Sequence, residues 1–187
     1  HTTILPFTRL MGGPMDFTPG FFHLQLNQFV PDRKTQIRTT LCKQLALYIT
    51  MYSPLQMVSD LPENYLKYPD AFEFIKDVAV DWDDTKILDA EPGDYICITR
   101  KAKGTHQWFL GAITDENSRL MRINLDFLDA NSTYTATIYQ DAPNADWEKN
   151  PEAYQIEERT VKQSDLITVQ LARSGGVAIS FKKKKTE

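Results

Sequence analysis

From Trp82 onward the chain stops repeating its apolar residues at helical spacing and begins to alternate them. That switch constrains the fold more than any other feature. Eight strand-like runs follow, at 85–90, 94–101, 107–114, 120–127, 134–141, 154–161, 165–172 and 177–181. Turn-forming residues separate most of them, at Pro92-Gly93, Lys103-Gly104, 115–118, 129–132 and 174–176. Alternation places successive side chains on opposite faces of a sheet, so one face can be buried while the other stays wet. No stretch of helical period interrupts the series, and strands joined by short turns must run antiparallel. The pattern therefore predicts an antiparallel β-sandwich over residues 81–187.

The N-terminal segment, residues 1–80, reads differently. Asp32 is placed to cap a helix that runs to about Tyr52, with Ile37, Leu41, Leu45, Tyr48, Ile49 and Tyr52 on one face and Ser53-Pro54 as its stop. Shorter helices, punctuated by Pro62 and Pro69, are expected over 55–78. Leu55, Met57, Leu61, Tyr65, Phe72, Phe74 and Ile75 need burial there, so the segment is a bridge and not a flexible linker. Residues 2–11 fit helix or strand: Ile4, Leu5, Phe7, Leu10 and Met11 make a helical stripe, with Pro6 tolerated only in a first turn. Gly12-Gly13-Pro14 then breaks the chain, 15–18 is long enough for one short buried strand, and Pro19-Gly20 ends it. An aromatic-rich loop with Phe21, Phe22, His23 and Phe29 comes next. Asp16, inside the short strand, is costly to bury unless it is paired or faces a polar pocket. In a parallel α/β barrel such a pocket lies at the carboxyl ends of the strands. Residues 15–18 thus read as the last strand of a catalytic barrel, and the helix at 33–52 as its last helix, packed outside a sheet absent from this chain. The chain reads as the tail of an enzyme, with a barrel remnant and helical bridge at 1–80 and a sandwich at 81–187.

Leu5-Pro6-Phe7-Thr8-Arg9 and Gly13-Pro14-Met15-Asp16-Phe17-Thr18-Pro19-Gly20 resemble paired motifs near the end of the catalytic domain of glycoside hydrolase family 97. The run from Tyr134 to Trp147 resembles a hairpin of that family's C-terminal domain, and the order of the motifs matches. The resemblance covers about residues 1–181. It implies a parent α-glucosidase or α-galactosidase with an N-terminal β-sandwich, a central (β/α)8 barrel and a C-terminal β-sandwich. It also implies an oligosaccharide substrate, calcium assistance in the intact enzyme, a periplasmic or secreted location, and a sandwich that supports the barrel and takes part in homo-oligomer contacts. The family's catalytic carboxylates and calcium-binding glutamates lie upstream of the first motif, in the part of the enzyme missing here. No catalytic residue and no metal ligand is therefore carried over to this chain.

Size agrees with that partition, since a complete barrel needs about 250 residues and this chain has 187. Hydrophobic residues at 42% and charged residues at 25% describe a globular chain rather than a disordered one. The net charge of −4 is too small and too mixed to point to nucleic acid. The run Lys182 to Lys185 reads as a solvated terminal tail. No apolar run reaches membrane-spanning length. Cys42, in a helical stretch, and Cys97, in a strand, are expected to be buried free thiols.

Asp16 is the one candidate substrate-binding residue. Its carboxylate either accepts hydrogen bonds from sugar hydroxyls near the barrel mouth, or pairs with Arg9 or caps backbone amides as a structural ion. Glycoside cleavage needs two carboxyl groups flanking the bond, about 5 to 10 Å apart, and no glutamate precedes Glu63. His1, His23 and His106 are too scattered for a metal site. Asp141 and Asp146 lack the spacing of a calcium loop. Trp147 and Trp108 are either sugar platforms or core anchors, and Trp82 is expected to clamp the bridge to the sandwich. A reading from another class, a free-standing sandwich that binds carbohydrate or a protein partner, leaves the orphan strand and helix of the N-terminal segment without a role.

Overall fold

The computed structural model describes residues 1–26 and 36–184. All eight predicted strands are present: β1 (Trp82–Glu91), β2 (Tyr95–Ala102), β3 (Trp108–Thr114), β4 (Arg119–Asn124), β5 (Thr133–Asp141), β6 (Tyr154–Lys162), β7 (Leu166–Leu171) and β8 (Gly176–Lys183). Six form one antiparallel sheet in the order β1-β2-β3-β8-β5-β6, and β4 and β7 form a two-stranded ribbon. The predicted fourth strand is too long at its end. Residues 125–128 turn instead, burying Leu125, Phe127 and Leu128 in the core between sheet and ribbon. Lys182 and Lys183, expected in a solvated tail, close β8. Lys182 pairs with Asp77 at 2.8 Å, Lys183 with Asp129 at 3.0 Å, and Lys184 donates to the Thr160 hydroxyl. Lys185 lies outside the described residues.

The sheet has two cores, one on each face. On one face the ribbon buries Leu110, Ile138, Ile179 and Phe181 with Met121, Ile167 and Val169. On the other, Ile96, Ile98, Phe109, Ile113 and Tyr139 pack against the N-terminal segment. The centrepiece of that segment is α1 (Leu41–Thr50), every residue of which is buried. The helix starts later than predicted. Residues 36–40 are not helical, and Thr40 is the cap, its hydroxyl accepting from Lys43 N at 3.2 Å. Asp32 and 33–35 lie outside the described residues. Within this chain α1 packs on the six-stranded sheet, where a barrel sheet was expected. Two strand glycines permit that approach. A Cβ on Gly111 of β3 would lie 2.6 Å from Ala46 O, and one on Gly176 of β8 would lie 2.7 Å from Lys43 Cα.

The rest of the N-terminal segment wraps the outer side of α1. Leu5–Phe7 and Arg9–Gly12 form short 3-10 turns, so residues 2–11 are helical rather than extended. The bridge folds into α2 (Pro62–Tyr65) and α3 (Pro69–Asp77), each with its proline in the first turn. Tyr65 and Phe74 are buried as expected, but Leu55, Met57 and Leu61 are exposed, because they lie in the irregular stretch ahead of α2 and not on a packed helix face. Phe22 packs edge-on to Tyr65 at 4.9 Å, and Phe74 does so to Tyr139 of the sheet at 5.3 Å. Phe29 lies outside the described residues. The stretch 15–18 is not a strand of this chain. Its one described backbone bond runs from Met15 N to Tyr52 O, since a strand exists only against a partner and none is adjacent here.

Candidate functional site

Asp16 is exposed and makes no hydrogen bond or ion pair among the described residues. The structural roles considered for it are not realised. Arg9 instead donates to Gly13 O at 3.2 Å and Pro14 O at 3.4 Å, which holds the turn ahead of Asp16. Gly13 sits at φ +119°, a conformation that suits glycine. The result is a braced turn followed by an uncommitted carboxylate.

A second cluster forms where α1 begins. Asp141, the last residue of β5, is buried, and its Oδ2 accepts from Ala172 N and Gly176 N, both at 2.9 Å. The Thr40 hydroxyl and the Cys42 thiol adjoin the carboxylate, yet neither closes a well-formed hydrogen bond onto Oδ1. Burial pushes this carboxyl up to about 6. The Thr40 hydroxyl, the two backbone N–H groups and the Lys43 ammonium reduce the rise without cancelling it. Lys43 is also buried and donates to Thr114 O at 2.7 Å. Burial brings its ammonium down to about 8, with Asp115, Asp141 and Glu116 pulling the other way. Burial first, then Asp141, raise the Cys42 thiol, so it stays protonated and is no nucleophile. The backbone N–H groups at the helix start are met by Thr40 N to Ser174 O and Leu41 N to Pro151 O. The cluster fastens the start of α1 to the end of β5 and to the β7–β8 turn.

Two further acids, missed from the sequence, tie the N-terminal segment down. Asp60 accepts from Phe22 N, His23 N, Leu61 N and the Asn64 amide, at 2.6 to 2.9 Å. Burial alone would raise its carboxyl, but these four donors outweigh that and hold it below the usual carboxylate range. Glu152 bridges Leu24 N and the Tyr68 hydroxyl, joining the loop before the sandwich's sixth strand to the bridge. An Asp just ahead of Leu61-Pro62 was the available signal for the first. Nothing local marks the second, because its partners are 128 and 84 residues away.

The remaining candidates resolve as anchors. Trp82 packs edge-on to Phe109 of the same sheet at 5.9 Å, within the core that the sheet shares with the N-terminal segment. Trp108 is buried against Phe127. Trp147 is half-buried, with the guanidinium groups of Arg38 and Arg173 at 5.4 and 5.8 Å from its ring centre, and its carbonyl accepts from the Gln36 amide. His106 is exposed and bonded to Asp129. Cys42 and Cys97 are free and buried on opposite sides of the sheet, out of reach of each other. Among the described residues no group of His, Cys, Asp or Glu side chains is placed to hold a metal ion, so they do not fit a calcium site. No helix among them is long and apolar enough to cross a membrane.

Fold and anchoring clusters together define a β-sandwich domain with a helical segment built into one face of its main sheet. Residues 81–182 match the family described as glycosyl-hydrolase 97 C-terminal, oligomerisation, and the chain belongs to that family. A retaining alpha-galactosidase of Bacteroides thetaiotaomicron is 33% identical over 184 residues, covering 97% of this chain and 27% of that protein. A probable retaining alpha-galactosidase of Streptomyces bingchenggensis is 29% identical over 178 residues, covering 95% and 25%. Among solved structures, a glycoside hydrolase family 97 enzyme of Pseudoalteromonas sp. strain K8, in complex with panose, superposes with a TM-score of 0.94 at 48% identity, over 99% of this chain and 28% of that one. The chain thus spans about a quarter of the length of these relatives.

Proposed function

We propose that this chain is the C-terminal part of a family 97 α-glycosidase that hydrolyses α-glucosides or α-galactosides with retention of configuration. One observation carries the reading. The likeness to such enzymes runs through 95 to 99% of the chain, so it includes the N-terminal segment as well as the sandwich. In this reading residues 1–80 complete the catalytic barrel, with 15–18 pairing to a barrel strand and Asp16 accepting hydrogen bonds from substrate hydroxyls at the barrel mouth. The sandwich supports the barrel and takes part in contacts between copies. Cleavage with retention needs two carboxyl groups about 5 Å apart on either side of the bond. Those groups and the ligands of the calcium ion that assists them belong to the preceding part of the enzyme. The family resemblance also supports action in the periplasm or outside the cell.

The test is hydrolysis of nitrophenyl α-glucoside and α-galactoside by two proteins: this 187-residue chain, and the same chain joined to its preceding residues. The short chain is expected to be inactive with and without calcium, and the long one active, with Asp16→Asn raising its KM. Turnover by the short chain that vanishes in Asp16→Asn would overturn this account.

A further inference from the structure

Beside the ends of β5 and β7 and the start of β6 lies a cleft of about 620 Å³. That volume lies within the usual range for small-molecule sites. Gln140 of β5 stands directly opposite Gln155 of β6 in the ladder. Gln140 is two residues beyond Ile138 and so shares the ribbon-side face. Gln170 and Leu171, the last residues of β7, also line it, as do Ala142 and Pro143.

The polar groups around this cleft sort into committed and free. Asp146 is committed: Oδ1 accepts from Glu148 N and Lys149 N, and Oδ2 from Arg173. Arg173 is in turn neutralised by Asp146 at 3.1 Å and Glu148 at 4.0 Å. At the rim, therefore, neither an anion nor a cation finds an unbalanced charge; the one other acid of the lining, Asp141, is buried and adjoins the Lys43 ammonium. Free among the described residues are the side chains of Gln140, Gln155 and Ser118, none of which makes a hydrogen bond. The Gln170 amide donates to Leu171 O at 3.1 Å, and its oxygen remains open. Amides and hydroxyls that both donate and accept, beside a small apolar wall, match the alternating hydroxyls and C–H faces of a sugar.

We propose that this cleft binds a neutral oligosaccharide, at a site apart from Asp16 and from the barrel. The site holds sugar without cleaving it, because no free carboxyl pair faces the cleft. Asp146 is held by Glu148 N, Lys149 N and Arg173, and Asp141 is buried, with Oδ2 spent on backbone N–H groups and Oδ1 turned toward the Thr40 hydroxyl and the Cys42 thiol.

The test is an NMR titration of the 187-residue chain with maltotriose, with raffinose and, as the charged comparator, with inorganic phosphate. The expected result is saturable shifts of the Gln140, Gln155 and Gln170 side-chain amides with at least one trisaccharide and none with phosphate. Replacing Gln155→Ala and Gln170→Ala together, both exposed and so safe for folding, should weaken binding about tenfold or more. Asp16→Asn should leave it unchanged. Absence of saturable shifts, shifts that survive the double replacement, or the same shifts with phosphate would each overturn the proposal. None of these would touch the proposed glycosidase activity, which is read by turnover.

Discussion

Asp141 is buried, and burial pushes its carboxyl up to about 6 although the two backbone N–H groups it holds pull the other way. An unfolded Asp titrates near 3.9. Between those values the folded chain binds the extra proton, so the stability this one group contributes is greatest below the window and is lost as pH rises through it, by up to about 3 kcal/mol. Asp141→Asn should keep an acceptor for Ala172 N and Gly176 N while flattening the slope, which urea denaturation at pH 4, 5, 6 and 7 would reveal. An unchanged slope would place the titrating group elsewhere. Gly111 offers a second test. Gly111→Ala puts a methyl 2.6 Å from Ala46 O and 2.8 Å from Ile49 Cβ, and should destabilise by about 1–3 kcal/mol by forcing α1 off the sheet. Denaturant midpoints equal to those of the parent chain would disprove the tight approach. Neither position stood out in the sequence as structural. Asp141 was weighed only for calcium, and a glycine inside a strand signals a close neighbour without saying which one.

The strands were legible because alternation is local, and each appeared within a few residues of its predicted place. The helix was legible in kind but not in extent. Ile37 continues the apolar stripe, yet 36–40 is not helical. Gln36 is bonded to Trp147 O, and Thr40 N and Leu41 N bond Ser174 O and Pro151 O, all contacts from far along the chain. A stripe alone also cannot say which sheet a helix covers. Thr40 now carries the start of α1, its hydroxyl accepting from Lys43 N. Thr40→Ala should lower stability by about 1–2 kcal/mol, and Thr40→Ser should restore most of it. Equal midpoints for all three chains in urea would remove the hydroxyl from the account.

What governs the molecule as a unit is that the N-terminal segment and the sandwich share one core. Thermal unfolding followed by far-UV circular dichroism and by tryptophan fluorescence should therefore give one coincident transition. Two separated transitions would mean independent parts. Removing residues 1–80 should bare Ile96, Ile98, Phe109, Ile113 and Tyr139 to water, and the shortened chain should bind a hydrophobic dye and aggregate. A soluble, cooperatively folding 81–187 would contradict the shared core. The sequence showed two regions by a change of period. It could not show that they interlock, because a period reports which face of an element is apolar and not what covers it.

The match to the family begins at residue 81, yet the packing begins much earlier, with α1 pressed onto the strands by way of Gly111 and Gly176. A unit defined by that boundary is not a cassette. Gene rearrangement that moved it to another enzyme would carry a sheet with one unclothed side, so the sandwich and the segment ahead of it are bound to be inherited together. Among the described residues α1 and the sheet meet in one shared core. A tilt of the sheet therefore carries α1 with it, because the two have no separate surfaces to slide on.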